Sequence, residues 1–196
     1  MKKRAQAGFT IVELVFAAAI LGLLSLNLAM VLRTSSSAFE TGVFRKVIDD
    51  QAELTMDRIS LAVMASAEKD LYPISVAPMN TPRLDYQICL GFQDGQLVMG
   101  DMERIEYVPL NGLVVWSQNP NSTDTRSVVW SSWVPNNLDG ELVNGLDDNG
   151  NGLIDEQGLS FDSSGGKVNI HLTLERKDSK GVIFKRTLVN TVTCRN

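Results

Sequence analysis

This chain is short of the residues on which most catalytic and metal chemistry depends. Its 196 residues hold one histidine, His171, and two cysteines, Cys89 and Cys194, with no C-x-x-C spacing. That excludes the usual zinc ligand sets and thiol redox pairs, and it leaves no Ser/His/Asp or Cys/His set, because His171 sits in a strand-like run and reads as structural. No glycine-rich phosphate loop occurs either. Basic residues are outnumbered, 18 against 23 acidic, and three of them, Lys2, Lys3 and Arg4, crowd the N-terminus. Without those three, 15 basic residues face 23 acidic ones, and the net charge moves from −5 to about −8. No basic patch is left to bind nucleic acid. The reading is therefore of a non-enzymatic protein.

What the chain does have is one long apolar run. Phe9–Leu32 is 24 mostly apolar residues, enough to cross a bilayer, interrupted by a single carboxylate, Glu13. A charge there is costly and calls for a reason. The small residue Gly8 precedes the run instead of following it, the reverse of a secretory signal. Cutting after Gly8 would remove eight residues and leave the apolar segment on a mature chain of 188. The basic start keeps the N-terminus cytoplasmic and sends the remainder outward, where disulfides are permitted. A bridge between Cys89 and Cys194 and two separate buried thiols are both open.

Gly8-Phe9-Thr10-Ile11-Val12-Glu13-Leu14 closely resembles the cleavage and methylation motif of type IV pilins and type II secretion pseudopilins. The resemblance implies cleavage after Gly8 by a prepilin peptidase and N-methylation of Phe9. It also implies that Glu13 pairs with the N-terminal amine of a neighbouring subunit during assembly. It places the protein in a bacterial inner membrane before assembly and in a filament afterwards, with other pilin or pseudopilin subunits as partners.

Beyond the anchor, Arg33 to about Ala67 continues the helix. Phe44, Ile48, Ala52, Met56, Ile59 and Val63 recur at three- and four-residue spacing, an apolar stripe that needs a partner surface. Arg45/Asp49 and Lys46/Asp50 are opposite charges four apart. Pro73, Pro78 and Pro82 mark an extended connector. Strands follow over Tyr86–Phe92, Gln96–Met99, Arg104–Val108, Leu113–Trp116 and Ser127–Val134, with turns at Asp94-Gly95 and Asn111-Gly112. Val168–Glu175 and Val182–Thr193 form a closing hairpin. The expected fold is α+β: a long N-terminal helix, half transmembrane and half amphipathic, packed on an antiparallel sheet head, pilin-like by the resemblance. The divisions are 1–8 leader, 9–32 assembly helix, 33–70 amphipathic continuation and 71–196 head. Met56-Asp57-Arg58-Ile59-Ser60 and the closing hairpin resemble J-class pseudopilins and W-class minor pilins over a smaller part of the chain.

The head carries a second motif. Within 144–158, Asp147, Asn149, Asn151, Gly152 and Asp155 fit D-x-[DN]-x-[DN]-G-x-x-D, the first two-thirds of an EF-hand-type calcium loop. Oxygen side chains on alternate residues converge when the backbone wraps tightly around a glycine. The Leu153 carbonyl would add a donor and Ile154 would anchor the loop. The twelfth position, where an EF-hand has a bidentate Glu, is Gly158, so Glu156, Asp148 or water must substitute. The expectation is structural Ca²⁺ on Asp147, Asn149, Asn151, Leu153, Asp155 and Glu156. A second functional reading is a membrane-anchored, calcium-dependent adhesin or carbohydrate-binding protein, with Trp116, Trp130 and Trp133 as an exposed platform.

Overall fold

A proline-free stretch that starts on Thr10 and runs past residue 60 becomes one helix in the computed structural model, which describes residues 10–194. Helix α1 spans Ile11–Met64. It runs through both of the units into which the chain divides, between Phe44 and Arg45. In the first unit every side chain from Thr10 to Ser36 is exposed. Two polar residues in this stretch bond to their own helix: Asn27 Nδ2 donates to Leu23 O at 2.9 Å and Thr34 Oγ1 to Met30 O at 2.9 Å. Side chains that hydrogen-bond their own backbone carry less penalty in hydrocarbon.

In the second unit the stripe is buried as its spacing predicts: Ile48, Ala52, Met56, Ile59 and Val63, with Thr55 and Ser60. The pair Lys46–Asp50 forms. The pair Arg45/Asp49 does not; Asp49 lies 3.5 Å from Arg186 instead, because a strand of the head passes that side of the helix.

The strands form two antiparallel sheets, where the periodicity had suggested one. The first is a meander of β1 (Arg83–Gln93), β2 (Gln96–Val108), β3 (Leu113–Gln118) and β4 (Arg126–Ser131). Asp94 and Gly95, with φ of 51° and 79°, make the two-residue turn between β1 and β2; paired positive φ values match the twist of the flanking strands. The strands read separately over 96–99 and 104–108 are one strand, since β2 is paired on both sides. The second sheet is β5 (Leu159–Ser164), β6 (Lys167–Lys177) and β7 (Ile183–Thr193). Strand β5 (LSFDSS) went unread in the sequence because it is short and half polar.

The part of helix α1 within the second unit lies on the second sheet. Asn190 Nδ2 donates to Ser60 Oγ at 2.8 Å, and Arg186 meets Asp49. Asn190, Leu188 and Arg186 stand opposite Ile170, Leu172 and Leu174, so this alternate set of β6 shares the helix-facing side. All three β6 residues are fully buried. The segment before β1 ties the sheets together: Thr81 and Phe161 exchange both backbone hydrogen bonds, at 2.9 and 2.8 Å.

In the first sheet Asp85 is clamped by two arginines. Arg104 donates from Nε (2.7 Å) and Nη2 (3.0 Å), and Arg83 from Nε (3.0 Å) and Nη2 (2.5 Å). Burial alone would raise the Asp85 carboxyl, but hydrogen bonds from Arg104 and Arg83 and their charges hold it below the usual range. A carboxyl lowered by folding contributes stability above its unfolded value of about 3.9, and that stability is lost as pH falls through the lower folded value. Asp85→Asn is expected to cost about 2 kcal/mol at pH 7. It should also flatten the fall in stability below about pH 4, read by urea unfolding across pH. A variant as acid-sensitive as wild type would show that other carboxylates dominate.

Candidate functional site

The N-terminal site is visible from Thr10 onward; Gly8 and Phe9 lie outside the described residues. Thr10 precedes the first helical residue, and Glu13 is the third residue of the helix. Glu13 Oε2 accepts from Thr10 N and Thr10 Oγ1, both at 2.9 Å, while Glu13 N donates to Thr10 Oγ1 at 3.3 Å. This is a reciprocal capping box, which satisfies donors that the helix start would leave orphaned. Glu13 thus has a local structural task that its place in the motif does not announce.

The second site lies in Ser132–Gly158, an irregular connection between β4 and β5 and so between the two sheets. Connections beyond about 12–15 residues without secondary structure are uncommon and often functional. Within it the EF-hand-like stretch has the wrap its pattern predicts. Asp147 Oδ1 accepts from Gly150 N (2.6 Å) and Asn151 N (3.1 Å), and Asp147 Oδ2 from Gly152 N (2.8 Å). Asn149 Oδ1 accepts from Asn151 N (3.0 Å), and Asn151 Oδ1 from Leu153 N (2.9 Å). Gly150 and Gly152, at φ of 76° and 90°, supply the left-handed turns. Asp155 is used as a clamp: its carboxylate accepts from Asn144 N (2.8 Å) and Gly145 N (2.9 Å), closing the start of the stretch onto its end.

The anchor differs from the sequence reading. The Leu153 side chain is the buried one, at 2% exposure, and Ile154 is half-buried. Ile154 holds the loop through its backbone, donating to Pro78 O (3.0 Å) and accepting from Asn80 Nδ2 (2.7 Å). A further carboxylate, which the motif does not include, reaches in from the N-terminal side: Glu141 Oε1 faces Asp155 N at 3.3 Å and Asp148 N at 3.5 Å. Its sequence signal was the excess of acid over base in 139–156, which contains no lysine or arginine. Among the described residues no three His, Cys, Asp or Glu side chains converge as metal ligands by themselves. Any cation here would therefore draw on carboxamide and backbone oxygens as well.

Comparison with known families bears on the first of these sites. Residues 3–26 match the family model described as the prokaryotic N-terminal methylation motif. The chain carries a prepilin-type methylation motif. That motif implies processing by prepilin peptidase, and it sits on a helix that is long and apolar enough to cross a membrane. With helix α1 against antiparallel sheets, the fold is pilin-like. No curated protein and no solved structure matches the chain.

The remaining sequence candidates take structural places. No bridge joins Cys89, in β1 of the first sheet, and Cys194, just after β7 of the second. Only Cys194 is buried. His171 is buried on β6 with Nε2 3.1 Å from Asp162 Oδ1, and Asn169 Nδ2 donates to the same carboxylate at 2.8 Å. Trp116, Trp130 and Trp133 are half-buried and form no open platform. Trp116 and Trp130 stack at 6.3 Å, Trp116 Nε1 donates to Glu103 Oε2 (2.9 Å), and Arg176 covers the Trp133 ring at 4.4 Å.

Proposed function

We propose that this chain is a minor pilin or pseudopilin, a structural subunit of a type II secretion pseudopilus or a type IV pilus. The observation that carries the reading is the methylation motif over residues 3–26, on an apolar helix whose side chains from Thr10 to Ser36 are all exposed. Lipid covers such a surface before assembly, and the helices of neighbouring subunits cover it afterwards. Prepilin peptidase removes residues 1–8 at the inner membrane, Phe9 becomes the methylated N-terminus, and Glu13 meets the Phe9 amine of the next subunit. The minor class rests on the resemblance of Met56–Ser60 and the closing β6–β7 hairpin to J-class pseudopilins and W-class minor pilins. A structural Ca²⁺ in 144–158, on the donors of Asp147, Asn149, Asn151, Leu153, Asp155 and Glu156, orders the connection between the sheets.

Mass spectrometry of the protein from membranes tests the central claim. The expected mature chain begins at Phe9 and carries one added methyl group on its amine. Retention of Met1, or cleavage at any other bond, would refute the reading.

A further inference from the structure

Among the described residues, two buried carboxylates beside the Asp147–Asp155 loop form no ion pair. Glu156 is 0% exposed and Glu141 is 4% exposed, and each has one carboxylate oxygen, Oε2, fully buried with no hydrogen-bond partner. Their other oxygens point into the loop: Glu156 Oε1 meets Asn151 Nδ2 at 2.5 Å, and Glu141 Oε1 faces Asp155 N. Of the six carboxylates from Asp139 to Glu156, only Asp139 forms an ion pair among the described residues, with Lys185 at 3.0 Å. Burying a carboxylate with neither a cation nor a full set of donors is strongly unfavourable.

The structure also shows why the motif departs from an EF-hand at its twelfth position. A Cβ on Gly158 would come within 2.3 Å of Pro135 O and 2.7 Å of Val134 Cγ1. Gly158 O accepts from Thr173 N at 2.8 Å, which fixes the backbone there. No side chain fits, so the bidentate glutamate of an EF-hand has no place, and its charge must come from elsewhere.

We propose that Glu141 and Glu156 supply that charge: their free oxygens close on a divalent cation together with Asp147, Asn149, Asn151 and the Leu153 carbonyl, a convergence that the ion itself brings about, since among the described residues no three acidic side chains already form such a group. This deepens, and rests on, the reading of the loop as a cation site. The all-oxygen, partly neutral donor set suits calcium, a hard ion that takes six to eight oxygens in flexible geometry. Asn151 Oδ1, which accepts from Leu153 N, keeps a second lone pair for the ion. Glu141 lies before the loop and Glu156 at its end, so the ion staples both ends of the connection between the sheets. Glu156 O also accepts from Leu138 N at 2.9 Å, which extends the staple to the Val134–Asp139 side.

The test uses the full chain in detergent micelles, titrated with Ca²⁺ by calorimetry and melted in Ca²⁺ and in EGTA. Wild type is expected to bind one ion per chain and to melt higher in Ca²⁺. Glu141→Gln and Glu156→Gln should each weaken binding at least about tenfold, since ligand charge sets calcium affinity. In EGTA both variants should melt at or above the wild-type temperature, because each removes an unbalanced charge; a residue with only a structural role would lower it. Absence of heat and of any melting shift at millimolar Ca²⁺ in wild type overturns the cation reading of the loop. Wild-type binding with unchanged affinity in both variants leaves that reading standing and overturns this ligand assignment. If one variant does not fold, the other and the wild-type melting pair still decide.

Discussion

Glu13→Ala is expected to leave cleavage after Gly8 intact and to lower incorporation of the mature chain into filaments by about 100-fold. The magnitude follows from the penalty for a charged group left unpaired in the hydrocarbon of a membrane or of a packed helix bundle. In the proposed assembly, the Phe9 ammonium of one subunit and the Glu13 carboxylate of another would offset one another's cost; without the carboxylate the ammonium would be stranded. The structure adds a competing account, because Glu13 closes a capping box with Thr10. Loss of a cap alone would reduce helix formation by about tenfold. Glu13→Gln separates the two. Glutamine serves the capping box as well as glutamate does, but it carries no charge. The pairing role predicts that the Gln variant fails as badly as the Ala variant; the capping role predicts near-normal incorporation. Counting each variant in sheared filaments against its processed pool in the membrane reads the difference, and wild-type incorporation of Glu13→Gln would sink the pairing role.

Gly158→Ala is expected to lower the stability of the head by about 3 kcal/mol, or roughly 10 °C in melting temperature. The cause is space alone. The new methyl would meet the Pro135 carbonyl at 2.3 Å, a backbone atom that cannot swing aside, and Val134 Cγ1 at 2.7 Å. Gly145 is the contrast: its φ is +80°, but nothing lies within 4 Å of an added Cβ. Gly145→Ala then bears only the backbone penalty of a left-handed alanine, about 1 kcal/mol. Melting both variants with the full chain in detergent, in EGTA so that no bound ion contributes, compares the two effects. Equal losses would mean that the close approach of residues 134–135 to Gly158 does not hold the connection in place.

The features legible in the sequence were those governed by local periodicity and short-range turn chemistry. Phe9–Leu32 could be read because a run of that length and polarity has few other uses. The stripe from Ile48 to Val63 could be read because a 3.6-residue period exists only for a one-sided helix. Asp94-Gly95 and the β6–β7 hairpin were legible because a tight turn pins the register of its strands. The loop pattern from Asp147 to Asp155 came through as a wrap of backbone donors around Asp147. What failed involved residues far apart in the chain. β5 was missed because Ser160 and Asp162 mask its alternation, and its identity as a strand depends on pairing with β6. The Arg45/Asp49 pair was expected from spacing, yet Asp49 turned to Arg186 on β7.

By itself, then, the sequence determined the processing motif, the anchor, the amphipathic continuation and an acidic wrapped loop, since each is written in neighbouring residues. Only the tertiary structure decided that the strands divide into two sheets and that no bridge joins Cys89 and Cys194. It alone showed that Gly158 has no room for a side chain, and that Glu141 and Glu156 are each buried with one carboxylate oxygen unpartnered. The physical reason is common to all four. Burial, close approach and charge balance are properties of which distant segments share a volume, and a chain read in order does not contain that volume.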